Sequence, residues 1–203
     1  MSNVKVSNNS DKIKRITGIA IFSAIIIVLQ VVSAVLGRFT ALPFSITLTL
    51  IPIVVGSAVY GVRTGAFLGG VFGAVVLVLC IVGMDPGGNI LWLANPLLTA
   101  LLCFVKGIAA GFMAGVCYAA FAKKNAYIGV ALAAVVSPVV NTGIFCVAMV
   151  LFYNNILTEW AGGTSALSFI IFGIAGVNFI IELCSNIVLS PVASRILNIK
   201  SRM

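Results

Sequence analysis

Long apolar runs, unbroken by the two-residue alternation of a half-buried strand, fill most of this chain from Ile16 to Ile196. They fix the solvent before they fix the fold. A chain that is 62% hydrophobic and 8% charged, with a mean hydropathy of +1.24, cannot wet its own surface. A soluble domain carries roughly 25% charged residues, so lipid is the solvent for most of this one. Backbone groups in hydrocarbon must find partners within the chain, which leaves helices or closed barrels. Continuous runs of this length predict helices.

Six spans are expected, at about Ile16–Gly37, Ser45–Gly61, Thr64–Gly83, Pro96–Ala122, Ala126–Tyr153 and Ala166–Ile196. The second is short, and Pro52 within it predicts a kink. The expected architecture is all-α: a single six-transmembrane-helix bundle over residues 16–203, preceded by a polar, basic segment at 1–15. The first run is too long for the apolar core of a signal peptide, so it is read as a span.

Lysine and arginine give the orientation. Lys5, Lys12, Lys14, Arg15, Arg63, Lys123, Lys124, Arg195, Lys200 and Arg202 fall on one side of a six-span layout. The other side holds Arg38, with the acids Asp85 and Glu159. Both termini are therefore expected in the cytoplasm. The outer connections, about 38–44, 84–95 and 154–165, are longer than the inner ones and suit loops that cover something. Their tryptophans, Trp92 and Trp160, also fit an interfacial aromatic belt.

The net charge of +8 does not point to nucleic acid, because the basic residues flank apolar runs instead of forming a patch. Five cysteines lie within apolar segments without metal-ligand spacing and read as packing residues. Gly65, Gly69 and Gly73, and likewise Gly107, Gly111 and Gly115, recur every four residues. Such stripes let two helices approach closely, inside the bundle or at a docking face. Ala20 and Ala24 give the same spacing near the inner end of the first span and are the better docking candidate.

Lys106 and Glu182 lie near the middle of spans. A charge there costs about 2.5–3.5 kcal/mol even on lenient scales, so it turns toward a partner or a wet cavity. Asn178, Glu182 and Asn186 share one face of the sixth span at i, i+4, i+8. Asn141 lies mid-depth in the fifth with Ser137 one turn before it, Asn95 opens the fourth, and Gln30 is in the outer half of the first. Together they suggest a polar pocket among spans four to six beneath the outer loops. Two readings of the charged pair stay open: a salt bridge pinning two spans, or a Lys106 that receives an anionic ligand while Glu182 and the asparagines bind its polar remainder.

The chain has no histidine and no phosphate-binding loop of the GxxxxGK[ST] type. Histidine-based catalysis and ATP hydrolysis by this chain are thereby excluded. It is not read as an enzyme, and no metal or cofactor is implied.

The run LPFSITLTLIPIVVGSAVYGVRTGAFLGGVFGAVV, with NPLLTALLCFVKGIAAGFMAGVCY and VNFIIELCSNIVLSPV, resembles the substrate-binding S components of energy-coupling factor (ECF) vitamin transporters. The resemblance covers the chain from about Ile16. It implies a multi-pass protein of the bacterial plasma membrane that binds a vitamin from outside under lid-like loops. It also implies a transmembrane coupling (T) subunit, docked through small residues of the first helix (here Ala20 and Ala24), and two cytoplasmic ATPases that supply the energy. The implied pocket draws on Lys106, Glu182, Asn178, Asn141, Asn95, Trp92, Asn186 and Arg38. The overall pattern is most similar to the pantothenate branch. Nicotinate, biotin or folate would also satisfy the cations, and riboflavin would want more aromatic faces. The competing reading is a stand-alone secondary carrier or channel for a small polar solute.

Overall fold

A computed structural model describes residues 2–37, 49–163, 165, 168–170, 179–180 and 182–184. In chain order the helices are α1 (Ser2–Gly37), α2 (Leu50–Tyr60), α3 (Val62–Val82), α4 (Pro86–Ala94), α5 (Pro96–Phe121), α6 (Ala126–Phe152) and α7 (Asn154–Ala161). No strand occurs among the described residues. Lys12–Leu36 of α1, together with α3, α5 and α6, are long and apolar enough to cross a membrane. The shortest, 21 residues, rises roughly 31 Å against a hydrocarbon core of about 30 Å. The expected sixth span lies largely outside the described residues, as does the segment 38–48.

Helix ends follow local chemistry. Asp85, Asn95 and Asn125 are the N-caps of α4, α5 and α6; their side-chain oxygens accept from the N–H groups of Gly88 (3.4 Å), Leu98 (3.1 Å) and Tyr127 (2.9 Å). Pro86 and Pro96 each open the helix after their cap, where a missing N–H costs nothing. Gly83 ends α3 in the left-handed region at φ 74°, and the Met84 N–H then reaches the Leu79 carbonyl at 2.9 Å.

Three details differ from expectation. The basic segment at the N-terminus continues α1 as helix from Ser2. Pro52 falls in the first turn of described α2, where N–H groups need no intrahelical acceptor, so it does not interrupt the ladder. The interior proline is Pro138, midway along α6.

The centre of the fold is the seam between α3 and α5. Gly65, Gly69 and Gly73 lie directly against the backbone of Gly111, Gly107 and Cys103, so the two glycine stripes are each other's partner. Backbones can approach this closely only where no Cβ intervenes. One side of the seam is filled by Ile26 of α1, Leu50 and Ile53 of α2, and Leu68 and Phe72 of α3. On the other side α6 packs through Val130 on Val55 and through Ala133 on Ala114 and Val54.

The seam is antiparallel and brings basic residues to one end. The Arg15 guanidinium donates to the Tyr60 carbonyl (3.4 Å) and to Thr64 Oγ1 (3.3 Å), beside Arg63. Gly115 lies against Val62, so the Lys123–Lys124 turn after α5 is at the same end. The outward faces carry exposed Ile21, Val28, Phe67, Val78, Leu97, Leu101, Val147 and Leu151, an apolar belt suited to lipid or to another membrane helix.

Candidate ligand site at the α4 end

The end opposite the basic residues is closed by the two short helices. Leu91 of α4, Leu157 of α7 and Tyr153 are buried with Leu102 of α5 and Met149 of α6 in one cluster. Two of the connections expected to be covering loops, 84–95 and 154–165, thus carry helices seated on the core. α4 is also pinned to α3: the Asn89 amide donates to the Cys80 carbonyl at 2.7 Å. Gly88 rests so close to Cys80 Sγ that a methyl there would overlap the sulfur. Thr99 Oγ1 and the Tyr153 hydroxyl lie 2.8 Å apart, and reach the Asn95 carbonyl at 2.9 and 3.4 Å. This ties the start of α5 to the end of α6.

Beneath that closure is Lys106. A lysine on a helix leans toward the N-terminus of its helix, here toward α4. Its ammonium lies 5.1 Å from the centroid of the Phe145 ring on α6. That is within cation–π range and offsets part of the cost of holding a charge away from water. Asp85 lies in the field of the same ammonium. Burial pushes the Asp85 carboxyl above its ordinary range, while Lys106 and the Gly88 N–H pull it back.

Phe145 belongs to a stripe on α6. Ser137, Asn141 and Phe145 are spaced four apart and so share one face. Ser137 is fully buried and Asn141 is 6% exposed. Neither Ser137 Oγ nor Asn141 Oδ1 has a hydrogen-bond partner. An unmet buried polar atom costs about 1–3 kcal/mol and calls for an explanation. Pro138, between them, removes the N–H that would meet the Ala134 carbonyl. Polar backbone and side-chain groups are therefore concentrated at one level of α6, one turn from the residue that contacts Lys106.

A second polar group lines the α1–α2 contact. Thr49 donates its hydroxyl to Gln30 Oε1, both buried, and Ser33 Oγ, one turn further along α1, has no partner. Glu182 is buried at 1% exposure.

The expected site residues divide accordingly. Lys106 meets Phe145 on α6, and Asn141 lies one turn before Phe145 on the same helix. Asn95 is exposed and its side chain caps α5, while Trp92 is half-buried against the Cys80 cluster. Ala20 and Ala24 are exposed on α1. Arg38, Asn178 and Asn186 lie outside the described residues. Sequence reasoning missed Asp85, Phe145 and the Thr99–Tyr153 contact. Asp85 had a signal, being one of only 4 acids in the chain and next to a span end. The i, i+4 spacing of Phe145 from Asn141 was readable too.

An open groove of about 320 Å³ also runs between α5 and α6, lined by residues such as Leu98, Leu101, Val105, Val147 and Phe152. Its walls offer nothing to a polar metabolite, and several of these side chains are exposed. It is an apolar surface groove, distinct from the polar stripe.

The model of the family described as "ECF transporter, substrate-specific component" matches residues 14–194. This chain belongs to that family. It is similar to "Pantothenic acid transporter PanT" of Lactococcus lactis subsp. cremoris (strain MG1363), at 26% identity over 180 residues, covering 85% of this chain and 87% of that protein. No solved structure matches the chain. An ECF substrate-specific component is a non-enzymatic transport protein, and the membrane-length helices make this one a multi-pass protein of the cell membrane.

Proposed function

We propose that this substrate-specific component binds a small anionic vitamin, pantothenate in the first place, and delivers it inward with energy from two partner ATPases through a transmembrane coupling subunit. The observation that carries the reading is Lys106, an ammonium deep in α5 held against Phe145, one turn from the unpartnered Asn141. A ligand carboxylate facing Lys106 gains a charge-assisted contact. The amide and hydroxyls of pantothenate would meet Asn141 and Ser137, which can donate or accept. Glu182, with Asn178 and Asn186 four residues either side of it in the sequence, would line the remainder. Likeness to a pantothenic acid transporter supports the choice of vitamin.

In this reading the chain makes six crossings, with the basic end in the cytoplasm and α4 and α7 as lids on the outside. Ala20 and Ala24, exposed on α1, meet the coupling subunit.

The test is calorimetric titration of the purified protein with pantothenate, then uptake into liposomes with and without the coupling module. Tight binding with uptake only when the module is present is expected. Uptake by the chain alone would establish the stand-alone carrier instead. Absence of pantothenate binding would remove that vitamin.

A further inference from the structure

The end of the bundle opposite α4 carries a charged surface that neither the proposed ligand site nor the proposed docking face uses. Lys12, Lys14, Arg15, Arg63, Lys123 and Lys124 are all exposed there. Of the chain's 4 acids, Asp11 alone stands beside them in the sequence. Asp85 caps α4 and Glu159 belongs to α7, at the other end.

Within this surface Arg15 is held in one place. A single guanidinium nitrogen, Nη2, donates to the Tyr60 carbonyl at 3.4 Å and to Thr64 Oγ1 at 3.3 Å. Its helix is packed against the same turn. A Cβ on Gly18 would overlap the Tyr60 hydroxyl, and the Phe22 and Tyr60 rings meet edge to face with centroids 6.2 Å apart. The other two nitrogens of Arg15, Nε and Nη1, meet no acceptor among the described residues. Arg63 immediately precedes Thr64, so two arginines come together where α1 meets the start of α3.

Apolar surface follows one turn deeper on both helices. Arg63 and Phe67 are four apart on α3, and Lys12 and Ile16 four apart on α1, so each pair shares a face. Phe67 is 57% exposed and Ile16 67%. Cation first, then bare hydrocarbon, on two neighbouring helices, matches the order of charge and chain along a phospholipid. An acidic protein surface would match the cations and leave Ile16 and Phe67 uncovered.

We propose that the α1–α3 contact at this end holds the phosphate of an anionic phospholipid between Arg15 and Arg63, with its acyl chains along Ile16 and Phe67. Phosphate offers several acceptor oxygens, enough to take donors from both guanidinium groups. Basic pockets between membrane helices recognise anionic headgroups in this way. A zwitterionic headgroup would bring its own ammonium among Lys12, Lys14 and the arginines, and like charges repel at this range. The preference is therefore for a headgroup with net negative charge.

The probes are phosphatidylglycerol, phosphatidylcholine and inorganic phosphate, each added to the full-length protein in detergent. Bound lipid is counted by native mass spectrometry. Phosphatidylglycerol should be retained and phosphatidylcholine lost. Arg63→Gln should weaken phosphatidylglycerol binding about fivefold, the usual effect of one basic residue at an anionic membrane surface. Its melting temperature should not change, because Arg63 is exposed. Arg15→Gln should weaken binding likewise, and if that variant unfolds, Arg63→Gln decides alone. Lys123→Gln combined with Lys124→Gln removes more charge from the same end but none from the α1–α3 contact, and should keep the lipid. Equal losses in Arg63→Gln and the double lysine variant would reveal a diffuse field and overturn the site. Displacement of the lipid by excess inorganic phosphate would assign the arginines to a free anion and overturn the lipid. No preference between the two lipids would also overturn it and leave these cations to an acidic protein surface.

Discussion

The carbonyl oxygen of Gly107 occupies the place that a Cβ on Gly69 would take, and the Gly69 carbonyl does the same to Gly107. The relation repeats at Gly65 with Gly111. Each contact sets backbone against backbone, so neither side can yield by turning a rotamer. The α3–α5 seam is the axis on which the site is hung, because Lys106 and Cys103 are placed by α5 and Cys80 by α3.

Gly69→Ala should therefore destabilise the bundle by about 1–3 kcal/mol, the usual cost of forcing an extra carbon into a closed contact. Gly143→Ala is the control. It sits on α6, and an added Cβ there meets nothing within 4 Å. Thermal unfolding in detergent should show a clear loss for the first and none for the second. Equal melting temperatures would mean that the seam is looser than its geometry indicates.

The unpartnered atoms on α6 give a prediction in which stability and binding move apart. Asn141→Leu removes a buried oxygen that accepts no hydrogen bond. The empty protein should melt no lower than before, and a gain of ~1 kcal/mol would appear as roughly 2–4 °C. Affinity for pantothenate should fall about tenfold, or 1.4 kcal/mol. A purely structural asparagine would give the opposite pattern, with lower stability and unchanged binding.

Much of this was legible in the sequence, for identifiable reasons. The ends of α3, α5 and α6 fall within about two residues of expectation because Gly83, Asn95-Pro96 and Asn125 punctuate them. The glycine stripes named their own geometry, although spacing alone left two partners open, each other or a docking surface. The α4 connection was read as a loop because Asp85-Pro86-Gly87-Gly88 looks like a turn. The same Asp-Pro pair is equally an N-cap followed by a first-turn proline, and only burial of Leu91 decides for helix. Pairings across the bundle were out of reach. Lys106 and Phe145 are 39 residues apart, and neither periodicity nor charge counting says which face of α6 meets α5.

Lys106→Ala should weaken pantothenate binding at least about tenfold, ~1.4 kcal/mol. Lys106→Met separates charge from bulk, since it keeps an unbranched stem against Phe145. If charge is what the ligand reads, Met should be as poor as Ala in a titration. Binding retained by Met and lost by Ala would assign Lys106 a packing role.

The docking face proposed on α1 yields a test in which the two halves of transport are separated. Ala20 and Ala24 are exposed near the basic end of α1, on the opposite side of the molecule's length from α4 and Lys106. A bulky side chain there touches nothing inside the bundle, so Ala20→Trp should leave pantothenate affinity and melting temperature unchanged. It should nevertheless abolish uptake in liposomes carrying the coupling module, because close helix approach depends on small residues. Co-purification of the coupling subunit should be lost in parallel. Normal uptake by Ala20→Trp would place the docking surface elsewhere, and the exposed small residues of α1 would then be lipid-facing only.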